Sequence, residues 1–315
     1  MPIIDYIAGE RRRAIEWKHS TPDLPDEARA PGDYVGSQRV IVGPFDYCLP
    51  PAFASFNLLD DARERAIGLF AELRIRWHDT VEGGPGNHLL ASQIQCVNAL
   101  APLIDRPDAV RQLFESVLPI EEVLPIDFGG ALTFEWIGVT DYLREQRNAQ
   151  RLRGALATSA DAAIRYRSTD RTVEVALIEW KFVEDYTARE PAKKDFERRE
   201  ARMKQRRWLW EDDACPLHRG SISYQDLFEE FRYQLFRLTA LADRMERAHE
   251  LDAERVRLIV AAPARNHALR DDLQRWPEHL INPDRFSVFD TDRLLHDSAP
   301  TTSRYRARYS HSATT

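Results

Sequence analysis

Apolar positions along the chain recur with two spacings, which separate helical from extended segments. Spacings of three and four residues predict helices at 57–77, 88–103, about 108–117, 223–248 and about 266–275. Runs rich in aromatic and β-branched residues predict strands at 131–138, 159–167, 172–182, 256–263 and about 286–290. This order of elements predicts an α/β sandwich with a mixed sheet.

The two ends of the chain differ from this regular middle part. Six prolines from Pro22 to Pro51 predict an irregular N-terminal extension over residues 1–50. Residues 51–297 are expected to form the α/β domain. The tail, residues 298–315, is rich in Ser, Thr and Arg and is predicted to be disordered.

Charged residues enter a predicted strand whose centre is apolar, 172–182. Val175 and Leu177 point to the same face as Glu179 and Lys181, because side chains alternate along a strand. Both faces are apolar from 175 to 178, which predicts a central strand that is covered on both sides. Charges in such a place are costly unless they are paired or bind an ion. Glu179 and Lys181 are therefore expected to have partners.

The preceding strand supplies one such partner. If the hairpin is symmetric about Asp170, Asp161 lies opposite Glu179, with Cβ atoms about 4.5–5.5 Å apart. Two carboxylates at that distance repel each other, and a divalent cation between them would remove the repulsion. A register shift of two residues would keep both groups on one face, whereas a shift of one would separate them.

Lys181 is unusual because the chain uses lysine sparingly. Only five of the 44 basic residues are lysines, so a generic positive charge is normally supplied by arginine. A lysine ammonium is compact and loses its proton when it is desolvated, which suits a group that orients or activates a water molecule. A metal, two carboxylates and a lysine can together attack a phosphodiester. The alternative is a buried ion-paired cluster without chemistry.

The tripeptide Glu-Trp-Lys is a weak signal by itself, because it occurs twice. The copy at residues 16–18 follows a basic run and has neither an apolar strand before it nor an Asp in a preceding strand. We interpret that copy as a chance match. The hairpin context, rather than the tripeptide, therefore supports a site at residues 179–181.

Asp161 followed by Glu179-Trp180-Lys181 resembles the PD-(D/E)XK nuclease superfamily. The flanking segments SADAAIRYR and VEVALIEWKFVEDY are similar to bacterial restriction endonucleases of that superfamily, and the resemblance covers about residues 88–290. It implies a restriction-endonuclease-like α/β sandwich with a central mixed sheet flanked by helices. It also implies that Asp161 and Glu179 bind the metal and that Lys181 is catalytic. Ala160 stands where the family often has Pro.

The resemblance implies two further site residues. Glu135, within TFEWIG, is the candidate for an additional metal ligand, and the alternative is a solvent-facing Glu on an edge strand. Gln234, beside Tyr233, is the candidate for the Gln that related nucleases carry on the helix after the lysine strand. Gln225, beside Tyr224, is a more exposed rival. The alternative for Gln234 is a buried side chain bonded to backbone.

A basic segment follows the strand that carries Lys181. Residues 189–207 contain nine basic and four acidic side chains, and Trp208 and Trp210 come next. This pattern suits contacts to a phosphate backbone and to exposed bases, although a solvated helical face would look the same. Three polar residues of the second helix could contact DNA or line the site, but such residues are more often exposed or capping groups, and we interpret them so: Gln93, Gln95 and Asn98.

Composition restricts the class of protein. The net charge of −7 disfavours a protein that coats DNA but permits an enzyme with a local basic patch. Three cysteines, odd in number and far apart, predict no disulfide framework and suit a reducing cytoplasm. The sequence has no apolar run long enough for a membrane span and no signal peptide, so a cytoplasmic protein without membrane contact is expected.

These observations together predict a nuclease that depends on Mg²⁺ or Mn²⁺ and hydrolyses DNA, in restriction, defence or repair. The first alternative is a catalytically inactive nucleic-acid-binding module of the same fold. A second is a metal-dependent enzyme that acts on another phosphate ester. The sequence is compatible with a homodimer and does not fix the oligomeric state.

Overall fold

Eight α-helices occur in the part of the chain that the computed structural model describes, which comprises residues 3–35, 40–78, 80, 83–146, 151–155, 157–185 and 193–310. They are α1 (Ile3–Ser20), α2 (Asp60–Glu72), α3 (Ser92–Leu100), α4 (Pro107–Phe114), α5 (Lys193–Glu211), α6 (Glu230–Arg247), α7 (Arg270–Arg275) and α8 (Ser303–Tyr309). None of these helices is both long enough and apolar enough to cross a membrane.

The strands form a hairpin and a larger sheet. They are β1 (Gly32–Val35), β2 (Ile41–Phe45), β3 (Ile120–Leu124), β4 (Thr133–Trp136), β5 (Ala160–Ser168), β6 (Val173–Trp180), β7 (Arg255–Ala262) and β8 (Phe286–Asp290). Strands β1 and β2 pair with each other, and the other six form one sheet in the order β3-β5-β6-β7-β8, with β4 beside β3 along β5. Pairing is antiparallel from β3 and β4 to β6 and parallel from β6 to β8. The predicted mixed sheet flanked by helices is confirmed.

Helices cover both faces of this sheet. Ala176 and Ile178 of β6 belong to an apolar cluster that includes residues of α2, α3 and α4. Val175 and Leu177 belong to a second cluster, with residues of α6 and α7. Burying one aliphatic side chain of this size contributes about 1.5–3 kcal/mol, so each face is a substantial source of stability. Polar groups at the end of β6 are therefore withdrawn from bulk water.

The prediction of an irregular N-terminal extension is wrong for residues 3–20, which form α1. The six prolines from Pro22 to Pro51 follow the helix and do not disrupt it. Several polar side chains of α1 are buried because each has a partner: the guanidinium of Arg13 donates to Glu10 and to the carbonyl oxygen of Arg308. Such distant partners are not visible in local periodicity.

The prediction of a disordered tail is wrong for residues 303–309, which form α8. Thr302 caps the helix by accepting a hydrogen bond from the backbone N–H of Tyr305. Tyr305 and Tyr309, four residues apart, are buried on one side of the helix. The guanidinium of Arg308 lies over the ring of Trp17, 4.4 Å from its centroid, so α8 packs against α1. Residues 311–315 lie outside the described residues.

Candidate active site

Strands β5 and β6 pair in the register that symmetry about Asp170 predicts. Ala162 lies opposite Ile178, and the pairing continues residue by residue toward the turn. One step in the other direction brings Asp161 and Glu179 to facing positions on the two strands. The hairpin therefore places these two carboxylates on neighbouring strands, on the face that α6 covers.

Asp161 is held at the point where the two strands meet. Its Oδ2 atom accepts a hydrogen bond of 2.5 Å from the backbone N–H of Trp180. Burial raises the pKa of Asp161 well above its usual range, and the charges of Glu179 and Glu135 raise it further. Lys181 and the Trp180 N–H act in the opposite direction. The repulsion among the three carboxylates is thus only partly compensated.

Glu135 reaches this group from strand β4. Phe134 and Trp136 pair with Ala162 and Ala160 of β5, so Glu135 lies at the level of Asp161. The backbone of Glu135 has φ 51°, the left-handed region, which costs an L-residue about 1–2 kcal/mol. An undistorted strand would point Phe134 and Trp136 to one face, yet they pack in the clusters on opposite faces. This local turn of the strand aims Glu135 into the site, as strained residues at functional sites often do.

Glu135 is 2% exposed, and both oxygens of its carboxylate accept a hydrogen bond. Its Oε1 atom accepts a hydrogen bond of 2.7 Å from Gln93, and its Oε2 atom accepts one of 2.7 Å from the hydroxyl of Ser159. The Nε2 atom of His78 lies 3.6 Å from Oε1. Burial raises the pKa of Glu135, and these neighbours lower it in part. The alternative of a solvent-facing Glu135 is therefore wrong.

Lys181 lies directly after strand β6 and is 5% exposed. Its ammonium donates to Glu179 Oε1 at 2.6 Å and to Gln234 Oε1 at 2.7 Å. Gln234 lies on α6, so this helix positions the ammonium from above the sheet. The structure brings Gln234 to the lysine, whereas its rival Gln225 is exposed and makes no such contact.

These residues line one cavity of about 320 Å³. The cavity also contains residues that sequence reasoning did not select as part of the site: His78, Ser92, Thr158, Ser159, Glu184 and Arg237. Most of them come from loops or from a helix far away in sequence, and no periodic pattern marks them. The spacing of Arg237, three residues after Gln234 on α6, is a local signal that could have identified this residue, because residues three apart share a helix face.

The donor set fits a hard divalent cation, because Glu135, Asp161 and Glu179 offer only carboxylate oxygens. Among the described residues, no group of three or more His, Cys, Asp or Glu side chains has the spacing of a complete metal centre. The fit therefore rests on donor chemistry and on charge. Burial raises the pKa of Asp161 most, and the charges of Glu179 and Glu135 raise it further; a cation would relieve that repulsion.

The three polar residues of α3 are buried, so their interpretation as exposed groups is wrong. Gln93 donates to Glu135, and Gln95 accepts a hydrogen bond of 2.9 Å from the indole N–H of Trp180. Asn98 instead accepts from the backbone N–H of Leu59, at the start of α2. The sequence signal for these contacts is an otherwise apolar helix that carries three amides, because buried amides need hydrogen-bond partners.

The basic segment forms helix α5 in its described part, with residues 186–192 outside the described residues. Arg206 of α5 pairs with Glu145, which also accepts hydrogen bonds from Thr158 at the cavity wall. The helix thus lies beside the cavity. Trp208 is half-buried under the guanidinium of Arg144, 4.2 Å from its ring centroid, and so packs within the protein.

The second Glu-Trp-Lys copy has a structural role. It lies on α1, where Lys18 is fully buried and donates to the carbonyl oxygens of Ala30, Asp46 and Cys48. Glu16 is exposed. The same tripeptide therefore lies within a helix in one place and at the end of a strand in the other.

Comparison with known protein families identifies a restriction endonuclease family. The family REase-ARP, described as "Restriction Endonuclease associating with ARP", matches residues 11–310. No curated protein and no solved structure matches the chain. The matched range includes α3, the hairpin β5–β6, α6 and most of both terminal segments. The chain therefore belongs to the REase-ARP restriction endonuclease family.

Proposed function

We propose that this protein is a divalent-metal-dependent DNA endonuclease of the restriction or defence type. One observation carries the proposal: Glu135, Asp161 and Glu179 occupy the same level of three adjoining strands, with Lys181 beside them. Membership of a restriction endonuclease family supports the nuclease class. The acidic donors and the single lysine add the metal dependence.

Each residue has a definite task in this proposal. Asp161 and Glu179 would hold Mg²⁺ or Mn²⁺, with Glu135 as an additional ligand. Such a cation, when bound, neutralises charge that develops on the phosphate and lowers the pKa of water. Lys181 Nζ, fixed between Glu179 and Gln234, orients the attacking water and holds or transfers its proton.

DNA would approach along the side where α5 lies. Arg202, Lys204 and Arg207 of this helix are exposed, and the ion pairs of the latter two with Glu200 and Glu211 lie at the surface, where such pairs are weak. Phosphates can therefore replace these partners. Because the net charge of the chain is −7, we expect binding to depend on this local patch and to weaken steeply with salt.

The proposal is tested with covalently closed circular DNA, linear duplex DNA, single-stranded DNA and RNA, each with Mg²⁺ or Mn²⁺. We expect the wild-type protein to cut closed circular DNA and Asp161→Asn to abolish cutting. Asp252→Asn is the matched control, because Asp252 is a surface aspartate whose side chain is 86% exposed. Titration of Mn²⁺, followed by electron paramagnetic resonance, should show weaker binding in Asp161→Asn only.

Two results would contradict the proposal. The first is a wild-type protein that degrades none of these nucleic acids with either metal. The second is salt-dependent DNA binding without cleavage that Lys181→Met leaves unchanged, which would favour a catalytically inactive nucleic-acid-binding module. Cleavage of other phosphate esters alone would assign the site to a different substrate class.

A further inference from the structure

Arg237 brings an arginine into the proposed catalytic cavity. It lies on α6, one turn after Gln234, and it lines the same cavity as Asp161 and Lys181. Residues three apart on a helix share a face, so Arg237 and Gln234 both point toward the sheet. The arginine therefore stands beside the lysine and not on the outer surface of the helix.

The guanidinium of Arg237 is held at one edge only. Its Nε atom donates to the hydroxyl of Thr158 at 2.8 Å, and its carbon lies 5.0 Å from the ring centroid of Tyr233. Glu145 is 4.0 Å from the nearest guanidinium nitrogen, beyond hydrogen-bond distance. Arg237 makes no other hydrogen bond to the residues that the structure describes. Its terminal nitrogens therefore keep donors for a ligand.

Glu145 lies at ion-pair distance from Arg237, but its hydrogen bonds go to other groups. The carboxylate of Glu145 already pairs with Arg206 and accepts hydrogen bonds from the backbone N–H and hydroxyl of Thr158. Glu145 therefore shares its charge between Arg206 and Arg237, and it accepts no hydrogen bond from the terminal nitrogens of Arg237. Arg237 is thus positioned by the Thr158 loop, with those terminal donors available for a ligand.

The charges that line the cavity give this arginine a role. Four carboxylates line the cavity, from Glu135, Asp161, Glu179 and Glu184, and they would repel a phosphodiester. The ammonium of Lys181 is already bonded to Glu179 and to the amide of Gln234. Among the described residues that line the cavity, Arg237 is the arginine, and its terminal nitrogens have N–H donors available for a ligand.

We propose that Arg237 binds the non-bridging oxygens of the scissile phosphate and is a catalytic residue of the nuclease; this inference rests on the function proposed above. A guanidinium offers two parallel N–H donors, which match two phosphate oxygens better than an ammonium does. A donor aimed at charge that grows during reaction lowers the barrier more than it strengthens substrate binding. Thr158 is then a positioning residue, because it acts through Arg237.

The test compares Arg237→Ala and Arg237→Lys with the wild-type protein in single-turnover cleavage at saturating DNA and Mg²⁺. We expect Arg237→Ala to lower the rate constant by about 10²–10³-fold, with a smaller change in DNA affinity measured in Ca²⁺. Arg237→Lys should recover only part of the rate. Arg244→Ala is the matched control, because Arg244 lies on the same helix and pairs with Asp212 outside the cavity; its rate should be unchanged.

Two further readouts separate catalysis from folding. Methylguanidinium added to Arg237→Ala should restore part of the rate, which a purely structural role would not allow. Inorganic phosphate, titrated in the presence of Ca²⁺ and followed by ³¹P NMR, should bind the wild-type protein and Arg244→Ala but not Arg237→Ala. Thermal unfolding checks that each variant is folded.

The outcomes distinguish this inference from the proposed function. Wild-type cleavage together with an unchanged rate in Arg237→Ala would overturn the inference and leave the nuclease intact. A wild-type protein that cuts nothing, yet binds phosphate through Arg237, would overturn the nuclease and support the phosphate site. Phosphate binding that does not depend on Arg237 would count against the inference in either case.

Discussion

Strand β6 buries a glutamate near each end, and the two glutamates have different surroundings. At the start of the strand, Glu174 accepts hydrogen bonds from Tyr166 at 2.5 Å, Arg257 at 2.5 Å and Arg255 at 2.9 Å. Burial alone would raise the pKa of Glu174, but these donors hold it below its usual range. This end of the strand is electrostatically satisfied.

At the other end, Glu179 shares its surroundings with two more carboxylates. Asp161 and Glu135 face it, and Lys181 is the cation that donates to it. The pKa of Asp161 is raised, which is opposite to the shift at Glu174. The chain compensates the first acid with arginines and leaves the second group short of positive charge. That is the difference we expect between a structural ion cluster and the site that we propose to accept a cation and a phosphate.

Exchanging the cations of the two ends is the strongest test of this comparison. We expect Lys181→Arg to lower the single-turnover rate of DNA cleavage by a factor on the order of 10³, because a planar guanidinium cannot replace a compact ammonium that orients and exchanges protons with water. Arg257→Lys should leave the rate per folded molecule unchanged. Equal rates for wild type and Lys181→Arg would remove the distinction between the two ends.

Replacing Glu174, whose charge is compensated by arginines, should lower the stability of the fold and leave DNA cleavage unchanged. Glu174→Gln leaves two arginines without their buried counter-charge, and we expect a loss of about 3 kcal/mol in the free energy of unfolding. The measurement is denaturant unfolding at neutral pH. If Glu174→Gln also lost cleavage at full folding, the two ends would be coupled and not independent.

The pH dependence of stability follows from the same carboxylate. Folding lowers the pKa of Glu174. The charge of Glu174 therefore stabilises the fold above the pKa of an unfolded glutamate, about 4.3, and this stabilisation is lost as the pH falls through the pKa of the folded state. The difference in unfolding free energy between wild type and Glu174→Gln should therefore shrink in acid. A difference that stays constant down to the acid limit would argue against this cluster as its source.

The smallest effect that we expect is a gain in the free energy of unfolding, opposite in sign to the loss expected for Glu174→Gln. Asp161→Asn keeps an acceptor for the Trp180 N–H and removes one of three repelling charges. We expect the metal-free protein to gain about 1 kcal/mol of stability, since sites built for function are often destabilising. Unfolding in the presence of a chelator measures this, with Asp252→Asn as the control. A loss of stability would show that the carboxylates are not in excess.

The hairpin was accessible from sequence because its constraints are local. Alternation fixed the faces of β6, and a short turn centred on Asp170 fixed the register with β5. The difference in geometry between the two Glu-Trp-Lys copies also has a local cause. Residues two apart diverge by about 200° around a helix but share a face on a strand, so only the copy at 179–181 brings its charges together.

The remaining features depend on contacts that no local pattern encodes. The left-handed backbone of Glu135 is fixed by packing on both sides of β4, and its partner Gln93 is 42 residues away. Helix α1 was missed because its buried charges are satisfied from the far end of the chain, through Arg308. The hydrogen bond that positions Arg237 goes to the Thr158 loop, whose sequence follows neither helical nor strand spacing.

The first helix also reaches the segment after β6 that contains Lys181 and Phe182. The hydroxyl of Tyr6 donates to the carbonyl oxygen of Phe182 at 3.0 Å, and Asn266 donates to the same oxygen at 3.1 Å. Phe182 directly follows Lys181, so α1 fixes the main chain next to the proposed catalytic ammonium. Shortened variants and N-terminal fusions that disturb α1 would therefore misplace Lys181 while leaving the sheet folded. In preparations of this protein, the position of a purification tag would then affect the proposed catalysis.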